Sequence, residues 1–217
     1  MYPIMEMGTS TSTQQATTQI RNMILNGEFK PGDPVRQDVL AARLGISRTP
    51  LRQALQSLHD DGLVVHSANK GARVALITPD LVRDLFDMRL ALELMAFRTA
   101  FPALTKLDFA RAEMALDAET SESTPAELSD LNWAFHFALY APCKRALLLQ
   151  TLRRLNRTAA LASTIGMSIT TQPGTSYEEH CAILAACKNG DRETAIALMG
   201  AHLAGAKVAL LQALESQ

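Results

Sequence analysis

Two polar side chains, Asn132 and His136, interrupt the apolar stretch LNWAFHFALY at residues 131–140. Positions four apart differ by about 40° around an α-helix, so both side chains leave the same helix face. A buried polar group without a partner costs roughly 1–3 kcal/mol, so both groups need partners inside the fold. An imidazole nitrogen and an amide oxygen can each bind a metal ion. This pair therefore indicates either a hydrogen-bonded core or a ligand site.

Two further histidines, His180 and His202, lie in apolar segments that are predicted to be helical. Three imidazoles and one oxygen can bind a divalent transition metal and leave positions open for a small anion. For any one of these histidines taken alone, a hydrogen-bonded core or surface residue is the simpler interpretation. The remaining two histidines, His59 and His66, fall in a different part of the chain and need no metal role.

A single arginine, Arg89, interrupts the apolar face of the segment MRLALELM at residues 88–95. An arginine beside an apolar cavity needs an anionic partner. Two partners fit about equally well: Glu93, four residues later on the same face, and an anionic ligand in the cavity.

The segment GISRTPLRQALQSLHDDG, residues 45–62, predicts an amphipathic helix. Ser47 can cap it, Pro50 falls in the first turn, and Gly62 can end it in a left-handed conformation. One face is apolar: Leu51, Ala54, Leu55 and Leu58. The opposite face carries side chains that can contact DNA: Arg48, Thr49, Arg52, Gln53 and Gln56. Arginine and glutamine can form paired hydrogen bonds to base edges, and threonine suits a phosphate or a thymine methyl group.

The elements around this helix predict a winged helix-turn-helix. A helix at about 14–26, a turn at FKPGDPV and a short helix at QDVLAARLG precede it, and two β-branched runs about a polar tip follow it. From Thr78-Pro79 onward the pattern is helical, with segments at about 80–101, 104–119, 125–141, 143–169, 175–188 and 191–215. Because the breaks between these segments are short, they predict an antiparallel bundle.

The expected fold class is mostly α, with an N-terminal winged helix-turn-helix followed by an all-α antiparallel helical bundle. The expected domains are a mobile arm at 1–13, a DNA-binding domain at 14–78 and a helical domain at 79–217. Residues 1–78 carry a net charge of +2 and residues 79–217 a net charge of -3. This weak asymmetry permits DNA binding by the first domain without establishing it.

The composition excludes several classes of protein. Of 217 residues, 47% are hydrophobic and 20% charged, which excludes a disordered or fibrous chain. The three cysteines show no CxxC spacing, so reduced thiols are expected rather than a disulfide framework. No signal peptide and no run of roughly 18 apolar residues is apparent, so the sequence predicts a cytoplasmic protein without a membrane partner.

The stretches ILNGEFKPGDPV, LAARLGISRTPLRQALQSLHDDGLV and NKGARV closely resemble the DNA-binding domain of the GntR family of bacterial transcription regulators. The resemblance covers nearly all of residues 16–76. It implies that Arg48, Thr49 and Arg52 read the DNA groove and that Gly71 forms the wing tip. Some members place a DNA-contacting arginine where this chain has Asp38, and Arg36 is expected to substitute for it from nearby.

Three helical segments, NWAFH at 132–136, EEHCAIL at 178–184 and MGAHLAGA at 199–206, resemble the ligand-bearing segments of the FCD domain of the FadR subfamily. The resemblance implies a divalent transition metal, with zinc or nickel favoured. Its ligands would be Asn132, His136, His180 and His202. The family's usual first ligand is an aspartate, so the amide of Asn132 predicts weak metal binding, or binding only together with an anionic effector. The family's Arg-x-x-x-Glu pair places Arg89 at the effector carboxylate.

The resulting hypothesis is a homodimeric transcription regulator, a repressor of a catabolic operon, that binds a pseudo-palindromic operator in double-stranded DNA. A small organic acid bound in the helical domain would modulate that binding. Two alternatives stay open at this point. Three histidines with an open coordination position could activate water in a metal-dependent hydrolase, and the chain could be an architectural DNA-binding protein without an effector.

Overall fold

The computed structural model describes three stretches of the chain, residues 12–67, 71–167 and 175–216. The chain divides into two compact units, Met1–Leu76 and Ile77–Gln217. The boundary predicted from the sequence falls two residues later. Residues 1–11 of the predicted mobile arm lie outside the described residues, and its last two residues already belong to the first helix.

The first unit combines three helices with a small sheet. The helices are α1 (Ser12–Leu25), α2 (Gln37–Leu44) and α3 (Arg48–Asp60). The strands are β1 (Pro34–Val35), β2 (Val64–Ser67) and β3 (Gly71–Val74). The sheet is antiparallel with the order β1-β3-β2, so β2 and β3 form the predicted wing hairpin. The apolar face predicted for α3 is fully buried and packs against α1. This arrangement confirms the winged helix-turn-helix.

Two local expectations need correction. The segment FKPGDPV was predicted to be only a turn, but Pro34 and Val35 pair with β3. Proline is tolerated there because an edge strand leaves one side of its backbone unpaired. Ser47 does stand at the N-cap of α3, but its side chain makes no capping hydrogen bond. Gly62, by contrast, has the expected left-handed backbone, with φ of 76°.

The second unit is an antiparallel bundle. Its helices are α4 (Pro79–Ala100), α5 (Lys106–Asp117), α6 (Pro125–Tyr140), α7 (Ala146–Met167), α8 (Thr175–Lys188) and α9 (Arg192–Glu215). The breaks predicted after α4 and α6 are single 3-10 turns, Phe101–Ala103 and Ala141–Cys143. Helix α4 packs against α6, α7 and α9, and α8 packs against α5 and α9. The described residues thus confirm the predicted all-α domain.

Side-chain caps fix where three of these helices begin. The Thr78 hydroxyl accepts a hydrogen bond from the Leu81 amide at the start of α4, and the Asp191 carboxylate accepts one from the Thr194 amide at the start of α9. Thr124 and Glu127 form a reciprocal capping box at the start of α6. Hydrogen bonds from Thr124 lower the pKa of the Glu127 carboxyl. Each cap sets the register of a helix that carries a candidate site residue.

Within the described residues, α9 is by length and composition long and apolar enough to cross a membrane. The sequence-based expectation that no segment does so is therefore too strong. The core helix of a soluble protein can have the same length and composition. Helix α9 packs against α4, α7 and α8 and buries Met199, His202 and Leu203.

Candidate functional site

Three helices bring three imidazoles together inside the bundle. His136 on α6, His180 on α8 and His202 on α9 are all buried, with at most 7% of each residue exposed. The Nε2 atom of His180 lies 3.2 Å from Nε2 of His136 and 3.3 Å from Nε2 of His202. The ring of Phe135 stacks on His180 with centroids 4.3 Å apart. The structure therefore unites the three histidines that the sequence could only propose as a set.

In two of these imidazoles, the Nδ1 atom that points away from the cluster is hydrogen-bonded to a neighbouring side chain. His202 Nδ1 lies 2.7 Å from a carboxylate oxygen of Glu179, and His136 Nδ1 lies 3.0 Å from the hydroxyl of Tyr140. The Tyr140 hydroxyl lies 2.7 Å from a carboxylate oxygen of Glu93 and 3.2 Å from the sulfur of Met199. The carboxylate is the stronger acceptor and takes the single proton, so the hydroxyl oxygen accepts from His136. In the neutral form each of these two imidazoles then carries its proton on Nδ1, which leaves an Nε2 lone pair directed at the shared centre.

Burial favours the neutral rings of His136 and His180. Burial, and next the neighbouring His202, lowers the pKa of His180 to about 3. Burial lowers the pKa of His136 well below its usual value, and the nearby His180, His202 and Arg89 lower it further. Neutral imidazole is the form that binds a metal ion, so the site is prepared for a cation at neutral pH.

Two of the three nitrogen separations fit a transition metal, and the three ligand atoms all lie within 4.8 Å of one another. Two metal–nitrogen bonds of about 2.0–2.1 Å that meet near the tetrahedral angle place their nitrogens about 3.3 Å apart. The Nε2 separations of 3.2 and 3.3 Å agree with that value. Imidazole donors suit zinc, nickel, copper or iron. Contacts from Glu179 and Tyr140 to the outer nitrogens are typical of the residues that orient metal-binding histidines.

Asn132, the predicted fourth ligand, is half-buried and lies one turn before His136 on α6. Its role as a ligand stays a prediction. Two residues that hold the cluster were missed as site residues from the sequence. Tyr140 stands one turn after His136, a spacing that is visible in the sequence, whereas the sequence gives no sign that Glu179 meets His202. The carboxylate of Glu179 accepts from the outer nitrogen of His202.

Arg89 lies beside this cluster and is already paired. Its Nε donates to Glu93 at 2.6 Å, and both side chains are buried. The guanidinium also lies 4.9 Å from the centre of the Phe86 ring. Of the two partners left open by the sequence, Glu93 is therefore present. A guanidinium has four further N–H donors, so the pair does not exclude a second anion.

The predicted DNA-contacting residues are exposed in the first unit: Arg36, Arg48, Thr49, Arg52, Gln53 and Gly71. Arg36, Arg48 and Gly71 line one shallow cleft, together with Asp38. Gly71 begins β3 with φ of 74°, a left-handed backbone that favours glycine. The starts of α2 and α3 and the wing strand thus contribute to a common surface.

Two of these side chains have partners within the first unit. Arg48 Nη2 lies 2.9 Å from a carboxylate oxygen of Asp38. The amide oxygen of Gln53 accepts a hydrogen bond from the Thr13 hydroxyl at 2.9 Å. Both interactions lie on the surface, where each contributes at most about 1 kcal/mol to stability. DNA can therefore displace them.

Comparison with protein-family models matches both units. Residues 12–74 match the model described as bacterial regulatory proteins, gntR family. Residues 84–205, more than half of the chain, match the FCD domain model. The chain belongs to the GntR family of bacterial transcription regulators. The resemblance stated from its sequence is therefore confirmed for both the DNA-binding and the helical segments.

Two relatives and one solved structure agree with the assignment of this chain to the GntR family. The Nta operon transcriptional regulator of Aminobacter aminovorans is 30% identical over 83% of this chain and 86% of its own length. The transcriptional repressor GlaR of Escherichia coli is 30% identical over 85% of this chain and 89% of its own. A solved GntR regulator from Rhodococcus sp. RHA1 is 25% identical with a TM-score of 0.79, over 92% of this chain and 97% of its own.

The pKa values give the metal-free GntR-family regulator a pH-dependent stability. Folded His180 stays neutral down to a pKa of about 3, whereas the same residue in the unfolded chain gains a proton below about pH 6.5. The unfolded state therefore binds more protons between these values, and stability falls as the pH falls. His180 alone is expected to remove about 2 kcal/mol of unfolding free energy between pH 7 and pH 5.

The measurement is urea-induced unfolding of chelator-treated protein at both pH values. His180→Gln should reduce the loss between pH 7 and pH 5 by about that amount, because glutamine does not titrate. An equal loss in the variant and the wild type would contradict the assignment of a neutral buried imidazole.

Proposed function

We propose that this GntR-family regulator is a homodimeric repressor that acts in the cytoplasm and releases its operator when a small organic acid binds its helical domain. The acid is bound by a divalent transition metal held on the three histidines and by Arg89. The convergence of three Nε2 atoms beside the buried Arg89–Glu93 pair carries this proposal. The repressor role draws on the similarity to GlaR.

In the proposed DNA complex, the exposed face of α3 enters the major groove. Arg48 and Arg52 contact base edges, Thr49 and Gln53 add contacts from the same face, and the wing at Gly71 approaches the minor groove. This face is exposed and lies opposite four fully buried side chains, three leucines and one alanine, which supports the proposal. Arg36 extends the contact surface from the start of α2.

Arg52→Ala is expected to weaken binding to a wild-type-selected DNA sequence by about 1–3 kcal/mol, and to relax the preference at one base pair. The DNA is obtained by selection from a random pool, and affinity is measured by fluorescence anisotropy. Arg43→Ala is the matched control, since Arg43 is an exposed arginine paired with Glu28 outside the proposed contact set. Equal losses of DNA affinity in both variants would show that Arg52 contributes only a nonspecific positive charge.

Two features support a homodimer: the few base contacts that one winged domain offers, and an exposed apolar face on α4. One winged domain offers few base contacts, so specificity requires two half-sites. Met88 and Met95 lie seven residues apart on one face of α4 and are 47% and 40% exposed. The Met95 sulfur accepts from Arg145, which directly precedes α7, and Leu147 near the start of α7 is 77% exposed. A second copy of the chain is the proposed occupant of this face.

Light scattering of the purified regulator should give twice the chain mass of 23.6 kDa. Met88→Glu introduces a charge into the proposed contact face and should shift the population toward the monomer. Met114→Glu is the matched control, because Met114 is 70% exposed on α5, outside the proposed face. Dimers that are equally stable in both variants would place the interface elsewhere.

The effector site combines the metal with Arg89. A bound divalent ion would act as a Lewis acid that attracts an acid oxygen. His136, His180 and His202 hold it, and Asn132 is the proposed oxygen ligand from the preceding turn of α6. An amide leaves the site one charge more positive than the family's usual aspartate does, which favours metal binding together with an anion. The guanidinium of Arg89 binds the carboxylate of the acid while Glu93 keeps its Nε contact.

A thermal-shift screen of small organic acids, with and without Zn²⁺ or Ni²⁺, tests this site. At least one acid should raise the melting temperature only when metal is present, because a ligand that binds the folded state and not the unfolded state stabilises the protein. His202→Ala should lose that shift and still bind DNA. His66→Ala, which removes an exposed imidazole from the first unit, should keep it. An unchanged shift in His202→Ala would refute the proposed pocket.

A further inference from the structure

Two buried side chains join Arg89 to the metal-binding face of His136. Arg89 Nε donates to one carboxylate oxygen of Glu93 at 2.6 Å. The Tyr140 hydroxyl donates to the other oxygen at 2.7 Å, and His136 Nδ1 lies 3.0 Å from that hydroxyl. All four residues are at least 94% buried. The contacts therefore form one continuous chain away from solvent.

The direction of each hydrogen bond follows from the groups present. The carboxylate of Glu93 only accepts, so Arg89 and Tyr140 both donate to it. Burial and the adjacent Glu93 raise the pKa of Tyr140 well above its usual value, so the hydroxyl keeps its single proton. Its oxygen is then an acceptor for His136. Glu93 is shared between a cation on one side and a metal ligand on the other.

Hydrogen bonds in a connected chain polarise one another, most strongly where water is excluded. When an external carboxylate shares the Arg89 guanidinium, that guanidinium interacts less with Glu93. Glu93 then accepts more strongly from Tyr140, whose oxygen accepts more strongly from His136. The result is a more basic Nε2 on His136, the atom that faces the shared centre.

We infer that Glu93 and Tyr140 form a relay through which the hydrogen bonding of Arg89 alters the metal affinity of His136. Tyr140 is the positioning residue of this relay. The inference rests on the proposed metal site and adds that an anion bound at Arg89 regulates the metal affinity of that site. An anion at Arg89 and a metal at the histidines bind with positive coupling, and each strengthens the other by the same factor.

The second oriented imidazole provides an internal comparison. Glu179 holds His202 at 2.7 Å in the same manner, but its side chain is 50% exposed. The described hydrogen bonds do not join Glu179 to Arg89. Loss of either contact should weaken metal binding, whereas only the loss of Tyr140 should disconnect the metal from Arg89.

The test uses Co²⁺ alone, monitored by its visible absorption and by competition with a chromophoric chelator. Tyr140→Phe and Glu179→Gln should each weaken Co²⁺ binding about tenfold or more. Arg89→Lys keeps the positive charge but changes the hydrogen bond to Glu93. It should change the Co²⁺ dissociation constant at least about twofold in the wild-type and Glu179→Gln backgrounds. The same substitution should have no effect in the Tyr140→Phe background.

An imidazole ¹H–¹⁵N spectrum of the metal-free protein gives an independent readout. His136 should carry its proton on Nδ1 in the wild type and shift toward the Nε2 form in Tyr140→Phe. Arg89→Lys should move the His136 nitrogen signals only while Tyr140 is present. A purely structural role for Tyr140 would not produce this dependence.

The outcomes separate the two hypotheses. If the wild type shows no saturable Co²⁺ binding, the proposed metal site fails and the inference fails with it. If Co²⁺ binds and His136→Ala abolishes binding, but Arg89→Lys acts equally with and without Tyr140, the metal site stands and the relay is wrong. An effect of Arg89→Lys that requires Tyr140 supports the relay.

Discussion

The buried ion pair between Arg89 and Glu93 is the interaction on which the helical domain's site depends. Removing one partner of such a pair typically costs 3–5 kcal/mol, because the other charge is left unpaired away from water. Neither residue can therefore be lost independently. Glu93 also accepts from Tyr140, so the ion pair fixes α6 against α4. That contact sets the ring of His136 toward α8 and α9.

Much of the architecture could be predicted because its signals are local. The helical spacing of apolar residues, together with prolines and glycines, predicted α4–α9 to within a few residues of their observed bounds. The same helical spacing predicted both faces of α3. The strand at Pro34 escaped prediction. Its sequence contains only turn signals, and the pairing partner Arg73 lies 39 residues later.

The histidine cluster was only partly predictable, for the same reason. His136 and Asn132 share a helix face by spacing alone, but the meeting of His180 with His136 is a contact across 44 residues. Tyr140 has the right spacing from His136, yet its importance depends on Glu93, 47 residues away. Periodicity says which face a residue occupies. It does not say which face of another helix it meets.

If Arg48 contacts DNA as proposed, its ion pair with Asp38 makes that contact an exchange reaction. Any DNA group that takes Arg48 must replace an internal carboxylate, not only a mobile counterion from solution. Such a contact releases fewer ions than a free arginine would, so it adds less to the salt dependence of binding. The exchange also favours a DNA group that matches the geometry of the guanidinium over a phosphate that offers charge alone. A carboxylate on the proposed DNA-contacting surface thus lowers general attraction to nucleic acid and leaves discrimination to shape and hydrogen bonding.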